Sequence, residues 1–199
     1  MIIGVTGGIG CGKSTITRFF QELGCPVLSA DEVVHEIYAS DAEVREKLSM
    51  AFGTRIFSAK GDVNRAILAE VFSSKETTRT LNRIVHPAVI RRIQIYHQDL
   101  VDRDPSTILV VEAPLLFEAG VEEVFDRIIC VTCPEEEGYE RFAGAGNTTP
   151  EEARKRAGFQ LPQEEKARRS DFVIDNSGDR SKARERVLSI LNTLRSQLI

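Results

Sequence analysis

Gly7 to Ser14, reading GGIGCGKS, fits the pattern G-x-x-x-x-G-K-S. It stands between an apolar run, Ile2 to Val5, and a segment with apolar residues at Ile16, Phe19, Phe20 and Leu23. That second spacing is helical, and Gly24 closes it. Strand, glycine-rich turn and helix in this order constrain the chain more than any other feature. The glycines let successive backbone N–H groups turn inward as an anion nest, and the helix N-terminus adds its partial positive charge. In such a loop Lys13 reaches the outer phosphates of a nucleotide, and Ser14 offers a hydroxyl to Mg²⁺.

Further apolar runs at Pro26 to Ser29, Ile108 to Val111, Arg127 to Val131 and Phe172 to Ile174 are separated by helical patterns. Runs of this kind suit strands buried on both faces. Five strands alternating with helices predict an α/β protein with a doubly wound parallel sheet, over 1–199 as one unit. Two stretches read as insertions. The first, 53–104, has no strand-like run and carries helical patterns at Asn64 to Phe72 and Glu76 to Val85, with a third opening at Pro87. The second, 134–170, is dense in Arg, Lys and Glu and includes AGAGNTTP from Ala143 to Pro150, which predicts a flexible tract within a mobile cover. A last helix from about Asp179 places Val187, Ile190, Leu191, Leu194 and Leu198 on one face, to pack on the sheet.

A formal net charge of −4 and a pI near 5.5 exclude a general attraction to nucleic acid or anionic membrane. No apolar run has the length of a membrane span, and MIIGVTGG enters a strand without a basic leader, so a cytoplasmic location is expected. Oligomeric state is not encoded in any recognisable pattern. Cys11, Cys25, Cys130 and Cys133 show no disulfide framework. Cys130 and Cys133 form C-x-x-C at the end of RIICVTC, where strand alternation points them to opposite faces, and no second pair completes a zinc site. Both read as buried small hydrophobes.

Two carboxylates fall at strand ends. Asp31 follows the second apolar run and ends VLSAD, on the rim where the phosphate loop also lies; there it orients a hydroxyl, takes its proton or holds a metal-bound water, or else it N-caps the helix EVVHEIYA. Glu112 ends ILVVEA and either holds Mg²⁺ through water or faces solvent.

The loop TGGIGCGKST, the segment SADEVVHEIY, the Asn64-Arg65 pair, His86-Pro87, EAPLLFEAG and RSDFVIDNSG follow the order and spacing of the dephospho-coenzyme A kinase family. The chain resembles that family along nearly its whole length. The resemblance implies a P-loop kinase core with a helical substrate-binding insertion and a helical lid, acting on ATP, Mg²⁺ and dephospho-coenzyme A. It implies that Gly10, Cys11, Gly12, Lys13, Ser14 and Thr15 bind the ATP phosphates, that Ser14 serves the metal, and that Asp31 is the catalytic base. Arg65 and His86 fall on the substrate side. Arg141 begins the lid, Arg156 and Gln160 match lid positions, and Asn176 lies near the adenine. Solvated helix faces for the arginines, and a helix-start position for His86, are the structural alternatives.

This chain departs from the family in two places. Ala145 and Gly146 stand where the lid usually has an arginine and an acid, leaving Arg141, Arg154 or Arg156 to supply the charge. Ser29 stands in S-A-D where D-A-D is usual. A further expectation concerns Cys11: amides, Lys13 and a helix N-terminus around it should favour a reactive thiolate.

Overall fold

The computed structural model describes residues 1–58, 61–72, 74–146 and 148–198, with the side chain of Arg65 left out. In chain order the elements are β1 (Ile2–Gly7), α1 (Lys13–Glu22), β2 (Val27–Ser29), α2 (Ala30–Ser40), α3 (Ala42–Phe52), α4 (Arg65–Phe72) and α5 (Lys75–Val101). They continue with β3 (Leu109–Glu112), α6 (Leu116–Ala119), β4 (Arg127–Thr132), α7 (Glu135–Gly146), α8 (Pro150–Ala157), α9 (Gln163–Arg169), β5 (Phe172–Asp175) and α10 (Arg180–Ser196). Two compact units emerge: Met1–Ser29 with Leu100–Ile199, and Ala30–Asp99.

The first unit is built on a five-stranded parallel sheet in the order β2-β3-β1-β4-β5. The apolar runs explain it, because β1, β3 and β4 are flanked by strands on both sides and are buried almost throughout. The edge strands β2 and β5 are only partly buried, so the expectation of burial on both faces holds for the inner strands alone. Ile3 and Val5 of β1, Ile129 and Val131 of β4, and Ile16, Phe19 and Phe20 of α1 share a core with Val187, Ile190, Leu191 and Leu194 of α10. Asp179 caps α10, its carboxylate accepting from the Ser181 N–H at 2.8 Å. The chain leaves β1 between β3 and β4, where the strand order reverses, and a crevice opens at the carboxyl ends of such strands.

In the first unit α7 packs on α8, and α9 packs on β4 and β1. Here the structure corrects the sequence at two points. The segment Ala143 to Gly146, expected as a flexible tract, continues α7 as helix. Ala143 and Ala145 are strong helix formers, and only at the Thr149 N-cap of α8 does a new element begin. Asn147 lies outside the described residues. The charge-dense stretch QEEKARR is also no loose cover. Lys166 is fully buried in it, tying α9 to the sheet.

The second unit is helical. Asp41 caps α3 by accepting from the Val44 N–H at 3.0 Å, and the Arg45 guanidinium donates to the carbonyls of Tyr38 and Gly61 and stacks 4.0 Å over the Phe57 ring. The helix expected to start at Pro87 does not. Instead α5 runs uninterrupted from Lys75 to Val101. An interior proline forfeits one backbone hydrogen bond, to the carbonyl four residues earlier. Leu81 and Val85 before it and Ala88 and Ile93 after it stay buried on one face, which carries the helix through. Pro87 and Arg83 are both exposed, so water can reach the orphaned carbonyl.

Candidate active site

The phosphate loop is the site's foundation, and its glycines are required by geometry. Gly10 has φ 67, and a Cβ there would lie 1.8 Å from the Gly138 carbonyl oxygen, so loop and α7 meet backbone to backbone. Gly12 has φ 81 and faces the Asn176 amide, which a Cβ would approach to 2.3 Å. Left-handed backbone of this kind is routine only for glycine.

Side chains from three elements hold the loop. The Asn176 amide, just past β5, donates to the Cys11 carbonyl at 2.9 Å. Arg141 on α7 donates to the Asn176 carbonyl at 2.9 Å and to Glu137 at 2.9 Å. Gln163, the first residue of α9, accepts from the Cys133 N–H at 3.1 Å and from the Cys11 thiol at 3.2 Å, while its amide donates to the Cys133 carbonyl at 2.9 Å. The Lys13 ammonium donates to the Gly8 carbonyl at 2.8 Å and the Gly7 carbonyl at 3.4 Å, which keeps it over the loop. Burial pushes its pKa below the ordinary lysine value, opposed by the negative charge of Glu112.

Glu112 ends β3 and accepts from the Thr17 hydroxyl at 3.2 Å; that same hydroxyl also donates to the Ser14 carbonyl at 3.2 Å. The carboxylate therefore stands against the first turn of α1, beside Ser14. A hydroxyl and a carboxylate are hard oxygen donors, a set that fits Mg²⁺.

A cleft of about 380 Å³ adjoins the loop, lined among others by Gly8, Cys11, Tyr139, Arg154 and Gln163. Arg154 pairs with Glu136 at 2.7 Å and lies over Tyr139. Arg156 pairs with Glu152 at 3.6 Å and lies over Phe142. Both are exposed. Gln160 accepts from the Lys166 ammonium at 3.2 Å.

Among the residues singled out in the sequence, the structure thus gathers Gly10 to Thr15, Glu112, Arg141 and Asn176 in the first unit. Asn176 touches the loop backbone itself. The expected Cys11 thiolate is not met: its thiol is hydrogen-bonded to that of Cys133, with the sulfurs 2.6 Å apart, and is buried, and both effects raise its pKa. The same hydrogen bond holds Cys133 below the ordinary thiol value, aided by Arg141, whereas burial pushes Cys130 up to about 11.

Asp31, Arg65 and His86 belong to the second unit. Asp31 lies exposed in the first turn of α2, inside the helix that begins at Ala30, and not at a capping position. Arg65 opens α4, and its side chain lies outside the described residues. His86 sits in the middle of α5, half-buried, and burial lowers its pKa.

Sequence reasoning missed a buried ion pair. The Lys166 ammonium meets Glu118 at 2.9 Å and also donates to the Pro114 carbonyl at 2.9 Å, while Glu118 accepts from the Leu161 N–H at 2.9 Å. This ties α9 to the turn after β3. Gln163 and Cys133 were missed as partners of the loop as well. No period or spacing marks any of them.

A model of the family described as dephospho-CoA kinase matches residues 1–182. A dephospho-CoA kinase of Carboxydothermus hydrogenoformans is 39% identical over 191 residues, covering 96% of this chain and 92% of the relative. Among solved structures, one from Thermus thermophilus superposes with a TM-score of 0.81 at 33% identity, covering 97% of this chain and 96% of the other. A dephospho-CoA kinase from Campylobacter jejuni does so with a TM-score of 0.68 at 28% identity, covering 100% and 98%.

Proposed function

This chain belongs to the dephospho-CoA kinase family, and we propose how its residues divide the family's reaction. That reaction, the ATP-dependent last step of coenzyme A biosynthesis, moves the γ-phosphoryl of ATP to the ribose 3′-hydroxyl of dephospho-coenzyme A. Phosphoryl transfer needs in-line oxygens and charge stabilisation more than covalent help from the protein.

The loop amides from Gly10 to Thr15 and the Lys13 ammonium take the phosphates. Desolvation strengthens Lys13's pull on the migrating group, since a buried ammonium is poorly screened. Ser14 and Glu112 are the residues that would hold Mg²⁺, which would neutralise phosphate charge when bound. Arg141 braces Asn176, and Asn176 braces the Cys11 carbonyl, so the chain from α7 through the end of β5 fixes the nest's curvature. Arg141 and Arg156 are the lid cations, standing in for the arginine that Ala145 and Gly146 replace. Arg65 and His86 take the acceptor.

Asp31 orients the 3′-hydroxyl and takes its proton. Its chain position supports the role: it lies two residues beyond Ser29, and Ser29 pairs in register with Glu112 at the carboxyl ends of β2 and β3. Arg141 on α7 and Arg154 and Arg156 on α8 would supply charge and also exclude water, so that transfer outruns hydrolysis.

The phosphate nest braced by Asn176 carries this proposal. ADP formation measured with dephospho-coenzyme A, with AMP and with no acceptor tests it. Rapid ADP release is expected with dephospho-coenzyme A alone. Equal or greater rates with AMP, or none with dephospho-coenzyme A, would contradict the assignment.

A further inference from the structure

Two thiols meet where nothing in phosphoryl transfer needs them. Cys11 sits inside the phosphate loop, and Cys133 follows the end of β4, one residue past Thr132. Their sulfurs are 2.6 Å apart, about half an ångström beyond a disulfide bond. Both thiols are free, with relative exposures of 2% and 4%. A sequence separation of 122 residues means that the fold, and not the local chain, brings them together.

Three further observations suit reaction between them. Gln163 touches both, accepting from the Cys11 thiol and clasping the Cys133 backbone from either side, so neither sulfur is held by packing alone. Cys11, though not Cys133, lines the cleft of about 380 Å³ beside the loop, so a small oxidant approaches the pair from the Cys11 side, one sulfur away from Cys133. The hydrogen bond shared with Cys11 and the nearby Arg141 charge favour thiolate on Cys133, making it the nucleophile of the pair. Cys130, three residues earlier, is buried within β4, where its thiol is directed to the Val131 carbonyl.

We propose that Cys11 and Cys133 form a reversible oxidation site, at which a hydroperoxide converts the pair to a disulfide and thereby closes the phosphate loop to nucleotide. The Cys133 thiolate attacks one oxygen of the peroxide; the O–O bond breaks, a sulfenic acid forms, and the departing hydroxide leaves as water after taking a proton. The Cys11 sulfur then attacks the Cys133 sulfur; the S–S bond forms, the S–O bond breaks, and the Cys11 proton leaves with that hydroxide as a second water. Two thiols lose two electrons, and hydrogen peroxide is reduced to two waters. A dithiol reductant reverses the step by exchange.

The consequence follows from where Cys11 stands. It lies between Gly10 and Gly12, the two left-handed positions about which the loop turns. A covalent tie at residue 11 removes the thiol's bond to Gln163 and fixes the segment between those pivots to the end of β4. Lys13 lies two residues on, so the backbone that presents it to a phosphate can no longer turn freely about those pivots. Nucleotide affinity should fall. The inference rests on the loop binding ATP but not on the identity of the acceptor.

The test uses the full chain, treated with hydrogen peroxide, with ATP affinity read by calorimetry and the linkage by peptide mapping without reduction. Expected are a loss of about 2 Da relative to the reduced protein, a peptide joining Cys11 to Cys133, and an ATP Kd raised at least about tenfold, all reversed by dithiothreitol; the mass change is two hydrogens per disulfide. Cys133→Ser and Cys11→Ser should each keep their own untreated affinity within about twofold after the same treatment, and Cys130→Ser should respond as the parent does; having two resistant variants guards against one that folds poorly. No linked peptide, a Cys130–Cys133 link in its place, a link that leaves ATP affinity unchanged, or a Cys133→Ser protein that loses affinity as the parent does would each overturn the proposal. Failure of the reduced enzyme to use dephospho-coenzyme A would count against the function assigned above and leave this result standing.

Discussion

The two units use sequence in opposite ways. In the sheet unit, the proposed chemistry is largely that of backbone: amides of the phosphate loop, turned by glycines whose Cβ atoms would strike Gly138 or Asn176. In the helical unit, Ala30–Asp99, the residues assigned to the acceptor are side chains on helices, Asp31, Arg65 and His86, in positions that an ordinary solvated face would also fill. Backbone function leaves a pattern that spacing reveals, because only glycine fits. Side-chain function on a helix leaves none, so there the roles come from family resemblance.

If that contrast is right, the largest effect should come from the loop's steric limits. Gly10→Ala forces a side chain into left-handed backbone and onto a carbonyl 1.8 Å away. ATP binding should be lost and turnover fall by about a thousandfold or more, since misplacing the amides removes the charge stabilisation on which transfer depends. Calorimetry with ATP checks this, and retained affinity would mean that loop and α7 can separate freely.

Next comes the hidden pair beneath the same unit. Lys166→Met leaves Glu118 as an uncompensated carboxylate only 17% exposed. Breaking such a pair costs about 3–5 kcal/mol, which should lower Tm by about 10 °C in a chain of this size. A thermal shift below about 2 °C would show that the site is wetter than its burial indicates.

A smaller loss is expected at the lid. Arg141→Ala removes the brace on Asn176 and a candidate cation, and should lower kcat by about a hundredfold, less than the roughly thousandfold or more of a guanidinium held directly on the migrating phosphoryl group. Arg156, exposed and paired with Glu152 at 3.6 Å, should cost no more than about tenfold as alanine. The reverse ranking, by steady-state kinetics, would move the lid's grip from α7 to α8.

The smallest effect belongs to the helical unit. Burial lowers the pKa of His86 in the folded chain, so on acidification the unfolded chain takes up its proton first. The stability His86 contributes is full above the unfolded value of about 6.5 and is lost as pH falls through the lower folded value. Tm should therefore drop slightly more for the parent than for His86→Gln between about pH 7.5 and pH 5.5. Identical pH profiles would mean that the ring is solvated.

Much of the fold is legible in the sequence. The five apolar runs become the five strands; the three inner ones are apolar because parallel strands are covered on both faces, while the edge strands β2 and β5 are only partly buried. The apolar face of α10 and the Gly24 stop after α1 are equally plain. What fails does so for identifiable reasons. Pro87 reads as a helix start because local rules disfavour an interior proline, yet one lost hydrogen bond on an exposed face is outweighed by four buried residues on the other. QEEKARR reads as solvated because a lone buried lysine does not alter the charge pattern around it. Gly144 and Gly146 suggest flexibility in the tract before Asn147, although Ala143 and Ala145 between and beside them extend α7. The loop's partners Gln163, Asn176 and Cys133 come from distant parts of the chain, and only the folded structure brings them together.

Asp31, the proposed base, follows β2 in the chain and lies in the first turn of α2. The most direct measurement compares Asp31→Asn with the parent in two assays: ATP affinity by calorimetry and dephospho-coenzyme A-dependent ADP formation. ATP affinity should stay within about twofold of the parent, while turnover falls by about a hundredfold or more, the usual scale for a positioned base. Parental turnover in Asp31→Asn would remove this carboxylate from the reaction and contradict the account.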